Sequence, residues 1–151
     1  MNNWIYVPTG EEVTKVQHLP NHEAIVGFVY KITNLKTGKF YIGQKSLYHA
    51  RKKKVSVTEK RLTGTRKKFR IEMKESDWAL YHGSSKDLTS DISKLGNKYF
   101  KREILELCCS KKYLSYCELS WQVKLDVLKC NSYNGNILGR YFHRDMENCK
   151  N

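Results

Sequence analysis

The sequence has no long apolar run. The longest, Ala24 to Tyr30, falls far short of the roughly 18 residues that a membrane-spanning helix needs, which excludes a transmembrane helix. The N-terminus, Met1-Asn2-Asn3-Trp4 followed by Glu11 and Glu12, also lacks the basic-then-apolar order of a secretory signal, so a cytoplasmic location is expected. Cysteines are few and unpatterned: Cys108, Cys109, Cys117, Cys130 and Cys149 are odd in number and share no repeated short spacing. Neither a disulfide framework nor a zinc site is indicated, and reduced thiols are expected, in the core where they fall on apolar faces. Proline is nearly absent. Pro8 and Pro20 lie in a mildly acidic lead segment, where with Gly10 they break any long element.

Acidic residues are scarce as well, 15 Asp and Glu against 28 Lys and Arg, for a net charge of +13 over 151 residues. A hydrophobic fraction of 40% suffices for one core and argues against a disordered polybasic tail. The excess charge is concentrated. Between Arg51 and Arg70 stand ten basic residues (Arg51, Lys52, Lys53, Lys54, Lys60, Arg61, Arg66, Lys67, Lys68 and Arg70) and the single acid Glu59, which is +9 of the +13. Such a density repels itself unless a polyanion neutralises it, so nucleic acid is the leading partner and an anionic membrane surface a weaker one. A solvated loop without a partner is the alternative.

Residues 1–25 read as an extension covering the core's edge, residues 26–140 as the domain with a basic insertion at 51–70, and residues 141–151 as a tail. From Val26 to Thr33 the chain is β-branched and aromatic, Asn34-Leu35-Lys36-Thr37-Gly38 supplies turn residues, and Phe40-Tyr41-Ile42 resumes the strand character, which predicts a β-hairpin. Ser46 is placed to cap a short helix reaching Lys54. Leu88, Ile92 and Leu95, ahead of Gly96, predict a helix of about three turns. Phe100 to Cys108 predicts a third strand. Ser110 opens a longer helix whose apolar stripe is Leu114, Cys117, Trp121, Leu125 and Leu128.

Glu118 falls on or beside that stripe. A carboxylate there is costly to desolvate unless a cation meets it. It is either a boundary residue paired with a Lys or Arg, or a ligand for a hard cation such as Mg²⁺, which often takes one or two protein carboxylates and keeps several waters.

The hairpin bears on that choice. Gly27-Phe28-Val29-Tyr30, then Tyr41-Ile42-Gly43 after ten intervening residues, resembles the paired signature of the GIY-YIG nuclease family. The second half matches outright. In the first, Phe28-Val29-Tyr30 replaces Gly-Ile-Tyr and the glycine lies one place earlier, at Gly27. The segment Tyr81-His82-Gly83-Ser84-Ser85-Lys86, the Leu88 helix and the Phe100 strand resemble the corresponding part of phage homing endonucleases, and Tyr133-Asn134 resembles the Tyr-Asn pair near the family domain's end.

The resemblance implies an α+β fold, a small three-stranded antiparallel sheet flanked by helices, and an endonuclease that hydrolyses double-stranded DNA with one Mg²⁺ or Mn²⁺. It implies catalytic roles for Tyr30, Tyr41, Arg51, His82, Glu118 and Asn134. Glu118 would hold the metal and Arg51, on the expected first helix, the phosphate, with Arg61, Arg66 and Arg70 as competitors and His49 as an alternative to His82. One phenol of Tyr30 and Tyr41 would act as or relay to the base, while the other orders water or phosphate. Because a phenol near pKa 10 is a poor base at neutral pH, a nearby cation must lower it. Lys45, Lys52, Lys53, Lys54, Arg61, Arg66, Lys67, Lys68, Arg70 and Lys86 are the expected nucleic-acid contacts. An inactive nucleic-acid-binding module of the same fold and a basic ribosome-associated protein are the other readings, and the latter leaves Tyr30, Tyr41 and Glu118 unexplained.

The hairpin register decides whether the two tyrosines can share a site. If Asn34 to Gly38 alone form the loop, Tyr30 pairs with Ile42 and Tyr41 faces the other way. A one-residue shift or a bulge is therefore expected.

Overall fold

A computed structural model describes residues 2–147, so Cys149 and the rest of the C-terminal segment beyond Glu147 lie outside the described residues. In chain order these form β1 (Trp4–Tyr6), β2 (Glu11–Val13), β3 (Gly27–Asn34), β4 (Phe40–Ser46), β5 (Tyr48–Lys54), α1 (Val57–Thr63), β6 (Phe69–Glu75), α2 (Lys86–Leu95), β7 (Phe100–Cys108), α3 (Lys111–Lys124), β8 (Asn136–Ile137), β9 (Tyr141–Phe142) and α4 (His143–Glu147). No helix among them is long and apolar enough to cross a membrane.

Alternation along β3 sends Phe28, Tyr30 and Ile32 to one face of the sheet and Val29 to the other, and both sets are buried. The first face packs on Trp4, Trp78 and Leu88 of α2, and the second on Leu114 and Cys117 of α3. Ser85 and Ser110 cap the two helices, accepting from Leu88 N at 3.3 Å and Tyr113 N at 3.1 Å. The helix α3 ends at Lys124, where Asp126 turns left-handed at φ 53°, so Leu128 of the expected stripe is buried from the following loop. Cys108 and Cys117 are buried free thiols, and Cys109 and Cys130 are exposed ones.

The fold is α+β, but the sheet is not three antiparallel strands. Five strands run in the order β2-β1-β7-β3-β4, with β1 parallel to β7. The expected three strands are the β7-β3-β4 side of it. The lead segment accounts for the difference: Trp4 is completely buried, packs edge-on against Phe28 and Tyr30, and donates its indole N–H to Trp78 O at 2.8 Å. Burying that side chain brings the backbone of β1 alongside the open edge of β7, which would otherwise expose unpaired groups.

The hairpin is shifted by one residue, as a shared site requires. Asn34 Oδ1 accepts from Lys36 N at 3.0 Å, Gly38 N donates to Asn34 O at 2.8 Å, and Asn34 N donates to Lys39 O at 2.8 Å. These bonds draw Lys39 into the turn. Thr33 then pairs with Phe40, Ile32 with Tyr41 and Tyr30 with Gly43, which puts Tyr30 and Tyr41 on one face. A register break against β7 falls beside Tyr30: Val29 pairs with Glu106 and Tyr30 with Ile104.

The segment from Ser46 to Lys54 is not a helix. Leu47 is fully buried, and Tyr48–Lys54 runs as β5 in a separate two-stranded ribbon with β6. β6 supplies the period of two that β5 hides among its lysines: Phe69, Ile71 and Met73 alternate with Arg70, Glu72 and Lys74. The short helix of this region is α1, capped by Ser56 through Glu59 N at 3.1 Å. At the C-terminal end, β9 pairs with β8, and the ring nitrogens of His143 lie 2.8 Å from Leu128 O and 2.7 Å from Asn134 O.

Candidate active site

β4 is the outer strand of the sheet, and its outward backbone groups are at Phe40, Ile42 and Gln44. The first two are satisfied by the loop after α3. Phe40 N donates to Asn131 O at 3.3 Å and Tyr133 N to Phe40 O at 2.7 Å, while Asn134 accepts from Ile42 N at 2.9 Å and donates to Ile42 O at 2.8 Å. The third, at Gln44, lies toward Glu118 and favours the ionised form of its carboxyl. A cleft of about 700 Å³ opens at this edge, with Ser84, Lys86 and Asp87 at the start of α2 on one wall and Ser115 and Glu118 of α3 on the other. Tyr41 and Asn134 also line it.

The tyrosines form a cluster behind the cleft. Tyr30 is 1% exposed, with its ring centroid 6.1 Å from that of Tyr41 and 5.9 Å from that of Tyr81. Tyr41 is the member that reaches the cleft, and its hydroxyl is 3.1 Å from Ser84 Oγ. Burial pushes the Tyr30 phenol well above its ordinary range, and its neighbours Tyr41 and Tyr81 push the same way. Burial also raises Tyr41, against the opposing hydrogen bond from Ser84. Both phenols are therefore protonated at neutral pH in the protein alone, the reverse of what a base requires.

Glu118 is half-buried in the cleft, and desolvation raises its carboxyl above the usual range while the Gln44 amide pulls it down. None of the ion pairs among the described residues includes it. The boundary-residue alternative required a Lys or Arg partner, and none of the described residues forms that ion pair.

Two expected site residues, Arg51 and His82, lie outside the cleft, and a third, Asn134, lines it with its side chain already engaged. Arg51 is exposed on β5 opposite Glu72, not on a helix, and no arginine lines the cleft among the described residues. The cation there is Lys86. His82 lines a separate pocket with Arg102, Leu80 and Asn97. Its Nδ1 donates to Leu80 O at 2.7 Å, and burial followed by Arg102 holds the ring below the usual histidine range, so it is neutral and turned away from the cleft. Asn134 does line the cleft, but its side-chain amide is committed to Ile42, which makes it a positioning residue for the strand carrying Tyr41 and Gly43. Lys45 is held by Asp77 at 2.6 Å and over the Tyr81 ring at 3.9 Å. Tyr81 and Ser84 were not singled out from the sequence. The signal was their place in the segment just ahead of the Ser85 cap.

The family model described as "putative endonuclease segE, GIY-YIG domain" matches residues 11–143. The chain belongs to the GIY-YIG nuclease family. No curated protein and no solved structure matches it. The displaced glycine of this GIY-YIG domain has a packing reason: a β-carbon at Gly27 would lie 2.6 Å from Lys45 O and 2.7 Å from Leu114 Cδ2, so the glycine admits α3 to the sheet. The vacated place holds Phe28, which packs between Trp4 and Trp78.

No group of three or more His, Cys, Asp or Glu able to hold a metal occurs among the described residues. The GIY-YIG cleft instead offers two carboxylates that form no ion pair among the described residues, Glu118 and, on the opposite wall, Asp87. That donor set fits a hard divalent cation that keeps most of its water.

Proposed function

We propose that this GIY-YIG domain is a DNA endonuclease that hydrolyses a phosphodiester bond in the cleft along the β4 edge, with one Mg²⁺ or Mn²⁺ held by Glu118. The observation that carries the reading is the half-buried Glu118 carboxylate, which no cationic side chain among the described residues compensates and which shares a cleft with Tyr41 and Lys86. When bound, such an ion supplies positive charge for the phosphate oxygens and the leaving 3′ oxygen.

The chain's own groups divide the remaining work. Lys86, on the cleft wall at the start of α2, takes the phosphate, the role expected of Arg51. The Tyr41 hydroxyl, tied to Ser84, orients the attacking water. Tyr30 lies behind it and fixes the Tyr41 ring by packing, and Asn134 fixes the strand. Fixed groups of this kind stabilise developing charge without having to reorganise. Double-stranded DNA is the proposed substrate, with the Arg51–Arg70 insertion supplying further phosphate contacts. The homing type is the nearest subclass in motif texture.

One observation favours a second reading, a binding module without activity: no arginine lines the cleft among the described residues. Supercoiled plasmid incubated with Mg²⁺, with Mn²⁺ and with a chelator separates the two, and mapping the ends identifies the bond cut. Nicked or linear product in the divalent arms alone is expected. Retained DNA binding with no product in any arm would establish the inactive module.

A further inference from the structure

The ribbon of β5 and β6 forms a sheet of its own, the two strands pairing with each other from Tyr48↔Glu75 to Lys54↔Phe69. Alternation sorts its side chains. Phe69, Ile71 and Met73 share one face with their cross-strand partners Lys54, Lys52 and Ala50, while Arg70, Glu72 and Lys74 share the other with Lys53, Arg51 and His49. The apolar column is uncovered: Ile71 is 74% exposed and Met73 59%. Phe69 is partly covered by Lys52, whose Nζ lies 4.3 Å from its ring. An exposed apolar strip rimmed by charge marks an interaction surface.

We infer that this face lies in the major groove of DNA, with Lys52 and Lys54 of β5 along one phosphate strand and Ile71 and Met73 of β6 over the base edges, against thymine methyl groups. The inference rests on the endonuclease reading only in taking DNA as the ligand. The charge argues for that occupant, because the ribbon and its connection, residues 48–75, hold +8 of the chain's +13. Shape argues for it too. Paired strands are about 4.8 Å apart, close to the roughly 6 Å from the wall to the mid-line of a major groove about 12 Å wide, which admits a two-stranded ribbon. One column of side chains then meets phosphate while the other meets bases. A second copy of the chain fits poorly, since stacking these faces would oppose Lys52 and Lys54 of both copies. The acid of this face, Glu75, is already accepting from the Trp78 indole at 2.8 Å.

The thymine methyl stands in the major groove, so its removal tests the placement directly. Two duplexes of the same alternating A·T sequence, one with deoxyuridine in place of thymidine, are titrated with the full-length protein. The thymine duplex is expected to bind tighter by about fourfold for each methyl covered by an apolar side chain. Ile71→Ser combined with Met73→Ser removes the preference and leaves the salt dependence unchanged. Lys52→Gln combined with Lys54→Gln keeps the preference and lowers the slope of log K against log salt by about two. Because these side chains are exposed, thermal melts of the variants should match the wild type. Equal affinity of the wild type for both duplexes, or a preference that survives the serine variant, would overturn the placement. So would a dimer in sedimentation without DNA that the serine variant dissolves, which would assign the strip to a second copy. A wild type that prefers thymine but nicks no plasmid supports the groove placement and faults the endonuclease reading alone.

Discussion

Tyr30 stands directly across the β3–β4 ladder from Gly43, and a β-carbon at Gly43 would lie 2.5 Å from the Tyr30 hydroxyl and 2.9 Å from Tyr41 Cε1. The glycine of the second motif is thus the space in which both motif tyrosines sit. Gly43→Ala should displace both rings and cost roughly 1–3 kcal/mol as overpacking. The checks are a denaturant titration and a nicking assay, with stability and cleavage falling together. An alanine variant of unchanged stability would show that the two rings are not confined.

Asn134→Asp isolates the strand-fixing role of this residue. The carboxylate can still accept from Ile42 N, but when ionised it cannot donate to Ile42 O and repels it. The buried carbonyl is left unsatisfied, at a cost of roughly 1–3 kcal/mol. Protonation at low pH restores a donor, so the deficit relative to wild type should shrink as the pH falls. A deficit independent of pH would place the effect elsewhere.

The cleft's cation is testable against two residues outside it. Lys86→Gln should slow nicking at saturating DNA by about tenfold or more, the scale of one charge-assisted hydrogen bond to phosphate at roughly 1.5–3 kcal/mol. Arg51→Gln should weaken DNA binding with little change in the saturated rate, and His82→Gln should leave the rate unchanged. A saturated rate that falls for Arg51→Gln and not for Lys86→Gln would restore the arginine to the chemistry.

Much of this was legible in the sequence where the pattern is local. The β3–β4 hairpin, α2 and α3 announce themselves through β-branched runs, apolar spacing and the residues Gly96 and Ser110. That Tyr30 and Tyr41 share one face was legible through the paired motif together with the need for a register shift. The pairing of Trp4–Tyr6 with Arg102–Ile104 was not, because so short a strand has no period and its partner lies far along the chain. β5 was hidden because its lysines give no apolar alternation, although β6 showed one. Arg51 and His82 were misplaced because sequence order says nothing of which wall faces the cleft.

Titration of Glu118 gives a stability signature independent of catalysis. Its carboxyl is raised in the folded protein by burial, so the native state holds the proton more tightly than the unfolded chain. The stabilisation is complete below the ordinary glutamate range near 4.3 and is lost as the pH rises through the raised value. Glu118→Gln should therefore melt higher than wild type at neutral pH, and the gap should close on acidification. A variant that melts lower at neutral pH would mean that the carboxylate is held by a cation in the apo protein.

The central claim is that Glu118 serves phosphodiester cleavage and not architecture. Nicking of supercoiled plasmid by wild type and Glu118→Gln, in the same divalent buffer and at saturating protein, tests it most directly, with a binding titration on the same DNA. Most cleavage should be lost in the variant while binding is equal or tighter, because an anion opposing the phosphates has been removed. Full nicking by Glu118→Gln, or loss of cleavage accompanied by loss of binding and a lower Tm, would contradict the account.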